Sequence, residues 1–121
     1  MKIVEILDQI ETAFPTCHTI AFADLSTKMV LCTSSSTDVR QEDLDKLCTT
    51  MTTALDGKIA SLASAEPTVE AMVFGTENVT VYLRDGDELA DGLCCVCSTD
   101  VDFGALMSSA REALSQIAAQ P

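Results

Sequence analysis

The stretch VRQEDLDKLCTTMTTALDGKIASL, residues 39–62, decides the fold, because it places one long amphipathic helix between two groups of short strands. Its apolar residues recur at helical spacing, with polar residues between them. Asp38 precedes it as a predicted N-cap, with Gln41 three residues later. A helix of about 20 residues or more would extend roughly 30 Å and cross a small domain, unless Gly57 ends or bends it. The predicted core positions are Leu44, Leu47, Cys48, Met51, Ala54, Leu55, Ile59 and Leu62.

One side of this helix is rich in threonine, at Thr49, Thr50, Thr52 and Thr53. Threonine is β-branched and has a poor helix propensity, so something other than intrinsic preference must favour a helix here. Two explanations stay open at this point. Small side chains would let a second helix approach closely, or the threonines form an ordinary solvated face.

Before the long helix, the chain is predicted to form one helix and one hairpin. Residues 2–14 place apolar side chains at helical spacing and acidic side chains opposite, and Pro15 ends the pattern. Two runs of β-compatible residues follow, near 18–24 and 28–34, around the polar break LSTK. They are predicted as the two strands of a β-hairpin.

After the long helix, three strands and a final helix are predicted. The runs VEAMVFG (69–75) and VTVYLRD (79–85) flank the turn TEN and indicate a second hairpin. A fifth strand spans residues 89–98, and its central residues are all apolar, so it is predicted to be buried on both faces. Asp102 is predicted to cap a last helix that has one apolar face.

Length and charge limit the classes of protein to which the chain can belong. Its 121 residues fit one domain, 1–121, and 47% of them are hydrophobic, which argues against disorder. The formal charge of -12 repels phosphate groups, so nucleic acid and anionic membranes are poor partners and a protein with a basic face is a better one. The longest uncharged run, Thr12 to Ala23, is too short to span a bilayer, and acidic residues interrupt the first helix. We therefore expect a cytoplasmic protein.

The stretch GLCCVCST, residues 92–99, holds three of the six cysteines and raises the question of a metal or redox site. In a strand, Cys94 and Cys97 would lie on opposite faces, while Cys95 and Cys97 would share a face about 7 Å apart. That geometry does not suit a zinc knuckle, and no nearby basic residue would stabilise a thiolate. Buried core residues are the favoured interpretation, since free cysteine behaves as a small hydrophobe. We expect all six cysteines to be free, in a reducing compartment; the other three are Cys17, Cys32 and Cys48.

The sequence contains no motif that is typical of an enzyme or of a cofactor site. His18 is the only histidine, and no serine or cysteine nucleophile is paired with it at a recognisable spacing. The five glycines are isolated, so neither a phosphate-binding loop nor a dinucleotide fingerprint is present. We therefore predict no catalytic residue, no metal and no cofactor.

The predicted order of elements, α-β-β-α-β-β-β-α, resembles the roadblock family of dynein light chains and their prokaryotic relatives. The resemblance covers nearly the whole chain. It is carried by IAFADLSTKMVLCTSSS (20–36), by VRQEDLDKLCTTM (39–51) and by DVDFGALMSSAREALSQI (100–117). The first hairpin departs from the family pattern, because DLSTK stands where the family usually has a glycine.

This resemblance implies an α/β fold of the α+β type, roadblock or profilin-like. A five-stranded antiparallel sheet would carry the long helix on one face and the two terminal helices on the other. Members of the family form homodimers through the long helix and the edge strand that follows it. An exposed apolar edge at 69–75 would also invite association by itself. The predicted dimer interface comprises Val69, Ala71, Val73, Thr49, Thr50 and Thr53.

The function that this resemblance implies is a non-enzymatic, homodimeric adaptor or scaffold, which regulates a small Ras-like GTPase. The alternative is a small-molecule or redox sensor, because related three-layer folds hold ligands between sheet and helix. In that case Met29, Met51, Met72 and the thiols would line an adaptable pocket. A thiol-dependent enzyme is supported only by the motif CCVC.

Overall fold

The structure is a computed structural model that describes residues 2–35, 39–63 and 65–119. Helices and strands follow one another in the predicted order, except that the long helix is divided into two. The elements are α1 (Ile3–Ala13), β1 (Cys17–Asp24), β2 (Met29–Ser35), α2 (Gln41–Asp56), α3 (Lys58–Ala63), β3 (Glu70–Phe74), β4 (Asn78–Arg84), β5 (Asp91–Ser98) and α4 (Phe103–Ala118).

The five strands form one antiparallel sheet in the order β2-β1-β5-β4-β3. The α2 helix packs on one face of this sheet, and α1 and α4 pack on the other. The predicted three-layer architecture is therefore confirmed. The two edges of the sheet are β2 and β3, so that the β3 edge is open as predicted.

The central position of β5 in the sheet explains why its residues are almost all apolar. Side chains alternate across a strand, so Leu93, Cys95 and Cys97 enter the core beneath α1 and α4, whereas Cys94 enters the core beneath α2. Cys94, Cys95 and Cys97 have no exposed surface. The prediction that the cysteine-rich strand is buried in the core is confirmed.

The pairing state of the cysteines was predicted wrongly, because Cys17 and Cys97 form a disulfide. The two residues lie 80 positions apart in sequence and are register partners on β1 and β5, next to an irregularity in the ladder. Spacing arguments compare only near neighbours, so they could not bring these two together. Cys32, Cys48, Cys94 and Cys95 are free. The prediction of a reducing compartment depended on six free thiols. Because two of them are paired, the cysteines no longer support it.

The start of the long helix differs from the prediction, and its end follows the alternative that Gly57 terminates it. Its N-cap is Arg40, whose backbone N–H donates to the Asp43 carboxylate at 3.3 Å, whereas the predicted cap Asp38 lies outside the described residues. The helix ends at Asp56, and the chain resumes as α3 after Gly57. A side chain at Gly57 would overlap the carbonyl oxygen of Thr53, so the break needs a glycine.

The break at Gly57 overturns the predicted burial of two residues. Ile59 and Leu62 were expected in the core as a continuation of the apolar face of α2. They are instead 85% and 77% exposed, because α3 begins in a new direction. The apolar side of this short helix is therefore open to a partner.

Candidate self-association surface

The backbone of β3 has an unused set of hydrogen-bonding groups at the edge of the sheet. Arg84 N donates to Val69 O at 2.9 Å at one end of the β3–β4 pair, and Gly75 N donates to Asn78 O at 2.7 Å at the other. Hydrogen bonds alternate along an antiparallel pair. The N–H and C=O groups of the residues between, at 71 and 73, therefore point to β4. Those at 70, 72 and 74 point away from the sheet.

The opposite edge of the sheet is less suited to pairing. The register of β2 shifts opposite Phe22 and Ala23, so Leu31 stands as an extra residue without a partner on β1. Such bulges blunt strand edges against association. The β3 ladder runs from Glu70 to Phe74 without a shift. Of the two edges, β3 is the one that can accept another strand.

A groove of about 630 Å³ lies beside this open edge, between β3 and the end of α2. Ala71 and Val73 point to the α2 side of the sheet and line the groove, and Thr53 lines it from the helix. Ile59 of α3 adds an apolar side chain. Three residues of the predicted interface are thus brought together in one place.

The threonines of α2 make hydrogen bonds within their own helix. The hydroxyls of Thr49, Thr50 and Thr53 each donate to the backbone carbonyl four residues earlier, at 2.9, 2.7 and 3.0 Å. This bonding satisfies the hydroxyl donor without solvent. The part-buried Thr52 makes the same bond at 2.9 Å, so these contacts fit both a helix–helix interface and a solvated face.

The other predicted interface residues lie in different surroundings. Thr49 is one turn before Thr53 on the same side of α2, so it extends the surface of the groove. Thr50 lines a different groove, together with His18 and Val96. Val69 is half-buried before β3, and its carbonyl accepts hydrogen bonds from two arginines. Thr50 and Val69 are therefore not brought to the open edge.

Of the residues that expose the most apolar surface here, the predicted interface included only Val73. Phe74 is 65% exposed, and the two residues before it, Met72 and Val73, are 41% and 49% exposed. Ile59 and Leu62 were assigned to the core. Gly57 was the signal that could have found these last two, since a helix that ends there cannot carry the apolar stripe of α2 any further.

Two arginines fix the segment that leads into β3. Arg84 is 4% exposed and donates from Nε to Thr68 O at 2.6 Å, and its Nη1 lies 2.8 Å from Asp56 Oδ1. Arg111 of α4 donates from Nη1 to Arg84 O at 2.7 Å and from Nη2 to Glu70 Oε1 at 2.9 Å. The edge strand is therefore held from both faces of the sheet.

The predicted methionine pocket does not form. Met29 and Met72 lie on β2 and β3, at opposite edges of the sheet, and Met51 is fully buried beneath α2. A sheet of five strands separates its edges by about 19 Å. The three side chains therefore cannot line one cavity.

The buried thiols are poor candidates for thiolate chemistry. Burial raises the pKa of Cys95 to about 12. Burial, with Cys95 and Cys48 nearby, raises the pKa of Cys94 well above its usual range. A thiol must ionise to act as a nucleophile or a metal ligand. Both groups therefore stay protonated at neutral pH.

The remaining candidates for chemistry are dispersed. His18 Nε2 lies 3.2 Å from Asn78 Oδ1, at the start of β1. Within residues 2–35, 39–63 and 65–119, no group of three or more His, Cys, Asp or Glu residues could hold a metal ion. Over the same ranges, no helix combines the length and apolarity needed to cross a bilayer.

No protein-family model matches this sequence, and no curated protein matches it. Solved structures do match it. A roadblock/LC7 domain from Streptomyces avermitilis has a TM-score of 0.81 and 8% identity, over 98% of this chain and 96% of that one. An MglB protein with a tetrameric arrangement has a TM-score of 0.78 and 17% identity, over 96% and 85% of the two chains. The gliding protein MglB from Thermus thermophilus has a TM-score of 0.71 and 21% identity, over 96% and 87%.

These similarities extend over nearly the whole chain at identities too low to carry more than the fold. They agree with the sheet order, the position of α2 on one face and the terminal helices on the other. The chain therefore has the fold of the roadblock proteins, as the resemblance of its sequence predicted.

Proposed function

We propose that residues 1–121 form a single non-enzymatic adaptor domain, which works as a homodimer and regulates a small Ras-like GTPase. The observation that carries this proposal is the open β3 edge beside an apolar groove. The unpaired backbone groups of Glu70, Met72 and Phe74 can bond to the same strand of a second copy. One isologous interface would then bury the edge, with the same residues contributed by each chain.

The composition of the surface supports a second copy as the occupant. The whole chain carries a charge of -12, yet Lys58 is the one charged side chain among the described residues that line the groove. Interface cores are depleted in charged residues in this way. Because two chains of equal sign repel each other, they can associate only where charge is sparse. The groove beside β3 is such a place.

In the proposed dimer, β3 pairs with its antiparallel mate, and the two sheets become continuous. The stripe of Thr49 and Thr53 on α2 then lies against the same stripe of the second copy, at a close distance that small side chains permit. The exposed Ile59 of α3, which lines the groove, becomes partly covered. One similar solved structure is an MglB protein with a tetrameric arrangement, so the fold is compatible with self-association.

The GTPase part of the proposal follows from the roadblock resemblance. Family members regulate small GTPases or link motor and signalling complexes without chemistry of their own. A partner with a basic face would suit the acidic surface of this chain. We place the interaction in the cytoplasm, where such a GTPase would be encountered.

Light scattering on Met72→Pro tests the dimer. The backbone N–H at position 72 points away from β4, so proline removes a donor at the open edge without breaking the chain's own ladder. We expect the unaltered protein and the control Met72→Ala to be dimers at micromolar concentration, and Met72→Pro to be a folded monomer by circular dichroism. An unaltered protein that is monomeric at that concentration would contradict the proposal.

Nucleotide exchange and GTP hydrolysis test the regulatory role. A panel of purified small Ras-like GTPases, loaded with a fluorescent guanine nucleotide, would be assayed with and without the dimer. We expect the dimer to change either rate for at least one member, and Met72→Pro to lose the effect. A dimer that neither binds nor affects any member would leave the self-association in place and remove the GTPase role.

A redox sensor is the second candidate, and the observation that favours it is the Cys17–Cys97 disulfide. Forming this bond from two thiols releases two electrons and two protons, which hydrogen peroxide would accept to give two waters. The test compares dimerisation of the reduced and oxidised protein. Equal dimerisation and equal GTPase binding in both states would reject the sensor and leave the adaptor.

A further inference from the structure

The α4 side of β3 carries a second apolar surface, which adjoins the groove beside α2 at Met72. Side chains alternate along a strand, so Met72 and Phe74 point to the face that α1 and α4 cover, whereas Val73 points to α2. They are 41% and 65% exposed. The reason is that α4 packs chiefly on β4 and β5 and reaches β3 through Phe103 and Arg111.

The side of α4 that faces β3 presents a matching row of residues. Phe103, Met107 and Arg111 recur every four positions and therefore share one side of the helix. The rings of Phe103 and Phe74 are 5.7 Å apart between centroids. We name Met72, Phe74, Phe103 and Met107 the apolar ledge.

At the other end of the ledge, an ion pair joins the helix α4 to the strand β3. Arg111 Nη2 lies 2.9 Å from Glu70 Oε1. From Phe103 to Arg111 the helix rises about 12 Å, and from Glu70 to Phe74 the strand rises about 13 Å. The helix and the strand therefore run side by side in opposite directions, with the ledge between them.

In the proposed dimer, the ledges of the two copies meet across the β3 seam. Strands are about 4.8 Å apart, so α4 helices centred over β4 and β5 in each copy would lie roughly 19 Å apart. Packed helices lie about 8–10 Å apart. The gap between the two α4 helices therefore accommodates one helix, packed against both.

We propose that this gap binds a single amphipathic α-helix of a partner protein. Its floor is formed by Met72 and Phe74 of both copies and its walls by Phe103 and Met107 of both copies. Methionine and aromatic side chains adapt well to an apolar helix face. The inference rests on the proposed dimer, because a single copy supplies only one wall.

The charge at the ends of the gap specifies the partner further. Asp100 and Asp102 are exposed just before Phe103, and Glu70 lies at the opposite end of the ledge. Antiparallel pairing places the start of one ledge beside the end of the other. Each end of the gap then carries these three carboxylates and one Arg111, which is paired with Glu70. The bound helix therefore has lysine or arginine at both ends.

Peptide selection on the full chain tests this inference. One phage-displayed library carries about 15 residues with apolar positions at helical spacing and Lys or Arg elsewhere. A second replaces the basic residues by Glu, and a third scrambles the apolar spacing. We expect enrichment from the first library alone. Fluorescence anisotropy of the most enriched peptide should give one peptide per dimer.

Variants locate the binding surface. Phe74→Lys should weaken the selected peptide by roughly 10- to 30-fold, as for a central interface residue. The matched control is Met29→Lys, which changes a residue 58% exposed on the opposite edge and should leave affinity unchanged. Phe103→Ala alters the part of the apolar ledge that α4 contributes. It therefore still tests the site if Phe74→Lys prevents dimerisation.

The outcomes separate this inference from the proposed dimer. A dimer that enriches all three libraries equally, or none, overturns the helix site and leaves self-association standing. Two peptides per dimer, or unchanged affinity in a dimeric Phe103→Ala or Phe74→Lys variant, overturns it as well. A monomeric unaltered protein overturns both.

Discussion

Arg84 illustrates how a single buried residue connects elements that are distant in sequence. Its guanidinium donates to the carbonyls of Thr68 and Leu55 and pairs with Asp56, so it links β4 to the end of α2 and to the segment before β3. Burial of an arginine is tolerated only when its donors are satisfied in this way. The position of the candidate dimer edge therefore depends on this side chain.

Replacing Arg84 by methionine should lower the free energy of unfolding by about 2–3 kcal/mol, because the buried carbonyl of Leu55 and the part-buried carbonyl of Thr68 lose their donor. The control is Arg40→Met, since Arg40 is 80% exposed and its ion pair with Glu42 should contribute less than about 1 kcal/mol. Urea unfolding of both variants checks the difference. Equal stability of the two would contradict the role assigned to Arg84.

Asp91 is a second residue that depends on its surroundings, which disfavour its ionised form. Partial burial, together with the nearby carboxylates of Glu88, Asp85 and Asp24, raises the pKa of Asp91. The folded state therefore binds this proton more tightly than the unfolded state does. Stability contributed by protonation is present at low pH and is lost as pH rises through the folded pKa.

Asp91→Asn should therefore raise the free energy of unfolding at pH 7, and the gain should shrink as pH falls toward about 3, below the ordinary carboxyl pKa. The control is Asp100→Asn, an exposed carboxylate on another turn. Urea unfolding at the two pH values checks both variants. A gain that is constant with pH would show that ionisation of Asp91 is not its cause.

At the scale of elements, the division of the long helix determines which apolar residues are exposed to a partner. A continuous helix would have placed Ile59 and Leu62 on the core side of α2. The break at Gly57 leaves both exposed, and Ile59 lines the groove beside the open strand β3. The candidate interface is therefore produced by a helix end as much as by a strand edge.

Gly57→Ala should destabilise the fold by about 1–3 kcal/mol, because the added methyl group overlaps the carbonyl oxygen of Thr53. The control is Gly86→Ala, since a side chain at that glycine meets no atom within 4 Å. Denaturant unfolding compares the two. A Gly57→Ala protein as stable as the control would mean that the helix break does not require glycine.

At the scale of the whole molecule, the Cys17–Cys97 bond closes a long covalent loop. It joins the first residue of β1 to β5 across 80 positions, beneath the layer of α1 and α4. A cross-link of this span restricts the unfolded chain and so favours the folded one. The fold should consequently respond to the redox potential of its surroundings.

Reduction should lower the free energy of unfolding by about 4.5 kcal/mol in the chain-entropy treatment of such a loop. Thermal unfolding with and without a phosphine reductant measures this change, and Cys17→Ala should behave as the reduced protein does under both conditions. Thiol titration of the denatured, unreduced protein should count four free cysteines of six. Six free thiols would contradict the disulfide.

The sequence by itself determined the order of elements, the faces of the strands and the apolar strand predicted at 69–75. These properties are local: a period of about 3.6 or 2 residues reports which side of an element is buried, whatever it packs against. The predicted pair of Ala71 and Val73 beside Thr53 follows from that periodicity together with the family resemblance.

Only the tertiary structure decided the Cys17–Cys97 bond, the exposure of Ile59 and the contacts of Arg84. Each of these depends on register between strands, or on the direction in which the chain leaves a helix, and neither property has a local period. A shift of two residues in the register of β1 would move Cys17 away from Cys97 and still bury the same face of the strand. Contacts between residues far apart in the chain are therefore fixed by packing, which local patterns do not encode.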